Sequence, residues 1–349
     1  MSAAMGARSE TGSSQVDAPA ASRAATASLI TGCWSTQVIH AAVRLGIPDR
    51  LAAGTAESRD IAAAVGAHPR ATFRLLRALA SLGLATDLGA ERFELTETGA
   101  YLRSDAPDSL AGLARHWGSR TWSALAHLEE SVRGGAPWSR GGREGFTSMA
   151  QRPEEAAVLN RSMVEQTLQV AHAIAAAYDF SRFREIIDVG GGYGALLAVV
   201  LESSPHLTGA SADLAYMEPQ AATFLGERGL GDRARFIPTD FFERVPAGAD
   251  AYLLKYIVHD WNDADAAEIL RNTRTAAGGR GTVLLIERVV PERIGAEQAG
   301  VICGDVNMMV ATGGLERTET EYRRLLAGAG LSLARIISTA SAFHILEAH

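Results

Sequence analysis

The stretch Ile186–Gly194, IIDVGGGYG, constrains this chain more than any other. An apolar run ends at Asp188 and passes straight into glycines at alternate positions, Gly190, Gly192 and Gly194. Ala195–Leu201 follows with helical character, so the segment reads as strand, turn and helix. Glycines there permit positive φ and let a ligand lie against bare backbone. The helix behind the turn offers N–H groups without internal partners. Such a turn suits a nucleotide-type cofactor. Asp213 ends a second strand-like run about one βα unit later, where a carboxylate can take both hydroxyls of a ribose. The turn alone leaves a purely structural role and a nicotinamide site open. Its pattern is DxGxGxG rather than GxGxxG.

The rest of the composition narrows the class. The chain has 349 residues, 47% of them apolar, which allows one large or two medium domains with a sizeable core. A net charge of −7 argues against nucleic acid or an anionic membrane as the main partner. No stretch approaches the roughly 18 apolar residues of a membrane span. Cys33 and Cys303 are the only cysteines. They form no metal spacing and suit a reducing cytoplasm. Residues 1–23 are rich in Ala, Ser and Gly, lack the apolar core of a signal peptide, and are expected to be a disordered tail. Of 33 basic residues, 32 are arginine, and Lys255 is the only lysine. The two side chains are not interchangeable, so that position calls for a compact ammonium.

The periodicity predicts an amphipathic helix over Ser22–Leu45, stopped by Gly46 and Pro48. Ser58 is placed to cap a helix through Val65. Pro69 opens another, which ends at Gly83. Leu84–Thr96 reads as a hairpin turning at Leu88-Gly89-Ala90. Helices with such a hairpin make a winged helix over residues 24–105. Arg70, Arg74 and Arg77 share a helix face there, yet the region holds eight Arg against eight Asp and Glu. A DNA-binding face normally carries a basic footprint, so dimerisation is the better reading.

Residues 106–183 read as helical, with a loop over the Gly-rich Gly134–Gly145. Trp117, Trp122, Trp138, Phe146 and Met149 gather around it, as core or as the wall of a flat-ring pocket. Beyond Arg184, strands are expected at Glu185–Val189, Leu207–Asp213, Ala234–Pro238, Ala251–Ile257 and Thr282–Arg288. Helical patterns near Gln220–Gly229 and Ala264–Ala277 fall between them. This alternation predicts a parallel α/β sheet over 184–349. A last helix over Thr320–Ala329 and a terminal hairpin in Leu331–Ala348 complete it.

Ligands of such sheets bind beyond the carboxyl ends of the strands. Asp188, Asp213-Leu214, Asp240-Phe241, Lys255 and His259-Asp260 all arrive there. His259 is the natural general base. Glu287 and Glu316 are the carboxylates able to orient it.

The segments DVGGGYG, DL, DFF, LLKYIVHDWND, LLIERVVPE and GGLERTE resemble the S-adenosylmethionine-dependent O-methyltransferases of the plant caffeate and bacterial natural-product kind. The resemblance covers about residues 24–349 and includes the winged-helix dimerisation region. It implies a Rossmann-like class I methyltransferase sheet, a homodimer, and S-adenosylmethionine without a metal. It implies His259, Glu287 and Glu316 as catalytic residues. It also implies ribose binding by Asp213, adenine binding by Asp240 and Phe241, and a cofactor contact from Lys255. Met163, Tyr256, Asp260 and Asn307 are similar to substrate-pocket positions. Two departures bear on the cofactor and pocket shape: Ala215 stands where proline usually follows DL, and Tyr193 where a smaller residue is common.

The expected reaction is methylation of an aromatic small molecule. A phenol near pKa ~10 lies about 3.5 units above an ordinary imidazole, which is about 5 kcal/mol for full proton transfer. An aliphatic alcohol near ~16 needs roughly 13 kcal/mol, so a phenolic or enolic hydroxyl is the expected acceptor. The alternatives are a relative that keeps the cofactor but hydroxylates or decarboxylates, a winged-helix ligand sensor, and a nicotinamide oxidoreductase.

Overall fold

The computed structural model describes residues 18–138 and 142–349. Seven strands form one sheet: β1 Glu185–Val189, β2 Thr208–Asp213, β3 Ala234–Pro238, β4 Ala251–Lys255, β5 Thr282–Glu287, β6 Leu333–Ser338 and β7 His344–Ala348. Their order is β3-β2-β1-β4-β5-β7-β6. The first five run parallel. The terminal hairpin adds β7 antiparallel to β5. This is the expected α/β sheet with its closing hairpin.

Strands β1, β4 and β5 are buried almost throughout. Hydrophobic cores fill both faces, as an all-parallel centre requires. The helix Ala195–Ser203 buries every residue from Ala195 to Leu201. That total burial explains why its sequence lacks a polar face.

Two strands end earlier than their apolar runs suggest. β4 stops at Lys255 because Tyr256 turns to φ 57, and the next two N–H groups leave the ladder. Ile257 and Val258 donate to the carboxylate of Glu287 instead, at 3.2 and 2.9 Å. β5 stops at Glu287, and Val289–Val290 then pairs in parallel with Arg317–Thr318.

The N-terminal region folds around its own core of Ile47, Leu51, Leu76, Leu79 and Phe93. Helices Ser58–Ala64 and Pro69–Ser81 precede the hairpin Ala85–Asp87/Arg92–Leu95. Ala56–Glu57 adds a third short strand. The expected winged-helix elements are therefore present. Ser58 does not cap its helix; its hydroxyl donates to Glu91.

Three expectations need correction. The helix expected over Ser22–Leu45 is two helices, Ala18–Thr31 and Cys33–Arg44, parted at Gly32. Glycine is a poor helix interior residue. The disordered tail was expected to reach residue 23, but Ala18–Arg23 is helical; residues 1–17 lie outside the described residues. Within the Gly134–Gly145 loop, Leu128–Gly134 and Gly142–Thr147 are helical. Residues 139–141 lie outside the described residues. Among the described residues, no helix is long and apolar enough to cross a membrane.

Tyr322 is fully buried in the sheet core, and among the described residues its hydroxyl has no hydrogen-bond partner. An unsatisfied buried hydroxyl costs free energy that phenylalanine avoids. Tyr322→Phe is expected to leave turnover unchanged and to stabilise by about 1 kcal/mol in urea unfolding. A loss of stability would show that the hydroxyl has a partner.

Candidate active site

One cavity opens at the carboxyl ends of β1, β2 and β4 and is closed from the other side by helical residues of 116–167 and 304–312. The glycine turn forms one wall. Gly190 (φ 69) and Gly192 (φ 56) both need the left-handed region. A Cβ on Gly190 would sit 2.3 Å from Ile257 Cδ1. The backbone is thus bare because the neighbouring loop presses on it.

Asp213 is buried at the end of β2. Its two oxygens each accept one backbone N–H, from Gly192 at 2.8 Å and Leu214 at 2.7 Å. Each oxygen keeps a lone pair, which is the requirement for two adjacent hydroxyl donors. Burial raises Asp213 to about 6, opposed by those two N–H groups. Burial also raises Asp188 to about 7, with Lys255 opposing. Lys255 is in turn lowered to about 8 by burial, against the pull of Glu287 and Asp188. Its Nζ donates to Thr167 at 2.9 Å.

Asp240 and Phe241 lie on the same wall. Asp240 accepts from the Phe242 N–H, and Arg143 stands 3.8 Å away. Phe241 packs edge-on to Trp261. These residues, with the glycine backbone and Asp213, fit an adenosine-type cofactor: a bare loop, a two-oxygen acceptor and an aromatic face.

His259 is the centre of the opposite part of the cavity. Its Nδ1 lies 3.0 Å from Glu316 Oε1. Its Nε2 makes no hydrogen bond among the described residues, and Asp260 Oδ1 is 3.7 Å off. The Tyr256 ring lies flat on the imidazole, 4.2 Å between centroids and 3° between planes. Burial disfavours the imidazolium, but Asp260, Glu287 and Glu316 together outweigh it and raise His259 to about 9. One donor atom each from His259, Glu287 and Glu316 falls within a 4.8 Å cluster.

The two glutamates do different things. Glu316 bonds the histidine directly. Glu287 is fully buried behind it and does not line the cavity; it holds the Ile257 and Val258 N–H groups and acts on His259 through its field. Burial raises Glu287 to about 7. Gly194 is the other expected site residue outside the cavity. It caps the helix at Ala195 and packs over Leu225. Leu214, Met163, Tyr256, Asp260 and Asn307 all line the cavity, as expected.

Sequence reading missed two contributors. Arg317 is fully buried and donates to Val258 O, Trp261 O and Asp263 Oδ1 at 2.8–3.0 Å. It ties the His259 loop to the segment carrying Glu316. Its place directly after Glu316 was the available signal. The second is the five-residue π-helical turn Trp117–Thr121, which brings Arg120 and Thr121 into the cavity beside Trp117. No sequence pattern marks such a turn, though π-turns gather at functional sites.

Gly314 fixes the same loop by contact. A Cβ there would lie 2.0 Å from His259 O, so any side chain must displace the backbone carrying the histidine. Gly314→Ala is expected to lower kcat at least about tenfold, because small misplacements of reacting groups are costly. The affinity for S-adenosylhomocysteine, measured by calorimetry, should hold within about threefold. An equal loss of both would mean that the whole cavity had collapsed.

Comparison with known proteins agrees with this geometry. The profile of the O-methyltransferase domain matches residues 122–332, and that of the O-methyltransferase dimerisation domain matches residues 27–105. The chain is 39% identical over 322 residues to the phenazine O-methyltransferase of Lysobacter antibioticus, covering 92% of this chain and 94% of that one. The solved structure of LaPhzM superposes with a TM-score of 0.90 at 37% identity, over 94% of this chain and 98% of that one. A neocarzinostatin-biosynthesis O-methyltransferase, solved with S-adenosylhomocysteine and 1,4-dihydroxy-2-naphthoic acid, superposes with a TM-score of 0.74 at 32% identity, covering 90% and 95%. The chain belongs to the S-adenosylmethionine-dependent O-methyltransferase family.

Proposed function

We propose that this enzyme methylates a phenolic or enolic hydroxyl of an aromatic small molecule, with His259 as the general base. The observation that carries the reading is the 3.0 Å contact between His259 Nδ1 and Glu316 Oε1, in the cavity that also holds the glycine turn and Asp213. Glu316 accepting at Nδ1 keeps the proton on that nitrogen and leaves the Nε2 lone pair as acceptor. S-adenosylmethionine supplies, when bound, an electrophilic methyl carbon on a sulfonium. Asp213 takes the ribose hydroxyls, and Asp240 and Phe241 take the adenine. Asp188, Gly190, Gly192, Leu214 and Lys255 complete that half. His259 removes the hydroxyl proton and leaves the oxygen as nucleophile. Met163, Tyr256, Asp260 and Asn307 surround the acceptor. Alignment and exclusion of water by the helical wall do the rest.

The electrostatics select the acceptor. A base near 9 stands about one unit below a phenol, which is roughly 1–2 kcal/mol for proton transfer. An aliphatic alcohol remains roughly 9–10 kcal/mol away. The raised basicity also keeps the imidazole protonated at neutral pH, so the active form accumulates only as pH rises.

The assembly follows from the N-terminal region. Leu29, Ile30 and Trp34 are 83, 74 and 70% exposed on its first two helices. Adjacent large apolar side chains left in water favour a covering partner. With the dimerisation-domain match, a homodimer is the reading, and two exposed, unpaired cysteines fit the cytoplasm.

The pH profile tests the base. The acceptor kcat/KM is expected to rise with pH along a limb set by His259, above the ordinary imidazole value. Glu287→Gln keeps an oxygen for both N–H groups but removes a negative charge, so the limb should move to lower pH. His259→Ala should lower turnover by about two to four orders of magnitude. Unchanged turnover in that variant would remove His259 as base, and an unmoved limb in Glu287→Gln would remove its field. Light scattering at micromolar concentration should give a dimer, and Trp34→Glu a monomer. A monomeric parent would refute the assembly.

A further inference from the structure

Arg288 follows β5 directly, and its side chain enters the cavity. Its Nε is buried and, among the described residues, has no hydrogen-bond partner, and no carboxylate lies within ion-pair distance. Guanidinium does not shed its charge in proteins. The side chain is only half-buried, so this charge faces the cavity and any anion that enters it.

The surroundings make the case stronger. Arg288 stands 5.4 Å from the Tyr256 ring centroid and 5.7 Å from that of Phe343. Lys255 Nζ stands over the same two rings, at 4.6 and 5.3 Å. Two cations thus share one pair of rings and repel each other. Glu287 and Glu316 each use one oxygen elsewhere, on the Val258 N–H and on His259; the second oxygen of each is buried and, among the described residues, without a hydrogen-bond partner, and neither carboxylate comes within ion-pair distance of Arg288. The helix Ala299–Ala311 makes room for the guanidinium at Gly304, where a Cβ would be 3.3 Å from Nη1. Asn307, one turn on, also lines the cavity.

We infer that Arg288 is the anchor for a carboxylate on the acceptor, so that the substrate is a hydroxylated aromatic acid whose hydroxyl lies at His259. The inference rests on the methyl-transfer reading above and names the substrate class for it. The cofactor also carries a carboxylate, on its amino-acid end. Arg288 lies against Gly304 and over the Tyr256 ring, which stacks on His259, and that side of the cavity favours the acceptor as the source.

The test uses the full chain saturated with S-adenosylhomocysteine, titrated in a calorimeter with 1-hydroxy-2-naphthoate and with 1-naphthol. The parent should bind the acid at least tenfold more tightly. Arg288→Gln should abolish that preference and leave the affinity for S-adenosylhomocysteine within about twofold. Arg288→Lys should restore part of the preference. Equal binding of the two probes by the parent, or a preference that survives Arg288→Gln, would overturn the assignment. A variant that loses S-adenosylhomocysteine while keeping the preference would give Arg288 to the cofactor carboxylate and overturn it as well. A parent that holds S-adenosylhomocysteine but not the acid refutes this inference alone. A parent that holds neither refutes the methyl-transfer reading beneath it.

Discussion

His259 and Glu316 stand 57 residues apart in the chain and 3.0 Å apart in space. Holding those two side chains together is the constraint the rest of the site obeys. Neither lies on a long, regular strand or helix. His259 sits in a single turn after β4, and Glu316 in a loop before the helix Glu319–Gly328. The sheet positions their bases, and three local devices close the gap. Arg317 donates to two carbonyls of the His259 loop from the residue next to Glu316. The Leu315 N–H donates to His259 O at 2.9 Å. The short parallel pair of Val289–Val290 with Arg317–Thr318 brings the end of β5 alongside. Arg317 is fully buried while its ion-pair partner Asp263 is 77% exposed, so the two carbonyl bonds and that pair together hold the guanidinium and the loop it crosses in place.

The same geometry sets the chemistry. Asp260, Glu287 and Glu316 crowd one imidazole. Burial pushes the carboxyls of Asp260 and Glu287 up while the three acidic neighbours push His259 up, so the imidazole titrates coupled to its surroundings rather than as an independent residue. Tyr256 takes a left-handed backbone to stack on that imidazole. An aromatic side chain adopts that conformation only where its surroundings compel it. A ring pinned on one face and bonded at Nδ1 has little freedom left, which is what a base needs when its partner arrives by diffusion.

Much of this was legible in the sequence because the parallel sheet writes a strong signal. β1 and β3 fall where their apolar runs predict, and Asp213 terminates β2 as expected. Periodicity failed where side chains rather than backbone patterns decide. Nothing in VHD or IER reveals that Glu287 would cap the Ile257 and Val258 N–H groups and so end β4 early. The helix Ala299–Ala311 is apolar nearly all round, so no face marked it, and only Asn307 was singled out from it. Gly194 read as part of the ligand turn because spacing cannot tell a glycine that faces a ligand from one that faces Leu225.

Of the two departures from the family pattern, Tyr193 reaches the cavity itself and Ala215 bears on it through the residue that follows. Tyr193 in the glycine turn and Tyr216 after Ala215 both line the cavity beside Asp213. Burial raises the hydroxyls of both, and the Asn160 side chain opposes that in each case. Asn160 is itself buried on the helix Pro153–Ala177. Both tyrosines are half-buried, and Asn160 acts on both hydroxyls from the helical wall that faces the glycine turn. The departures therefore leave the carboxylate of Asp213 in place and alter what stands next to it.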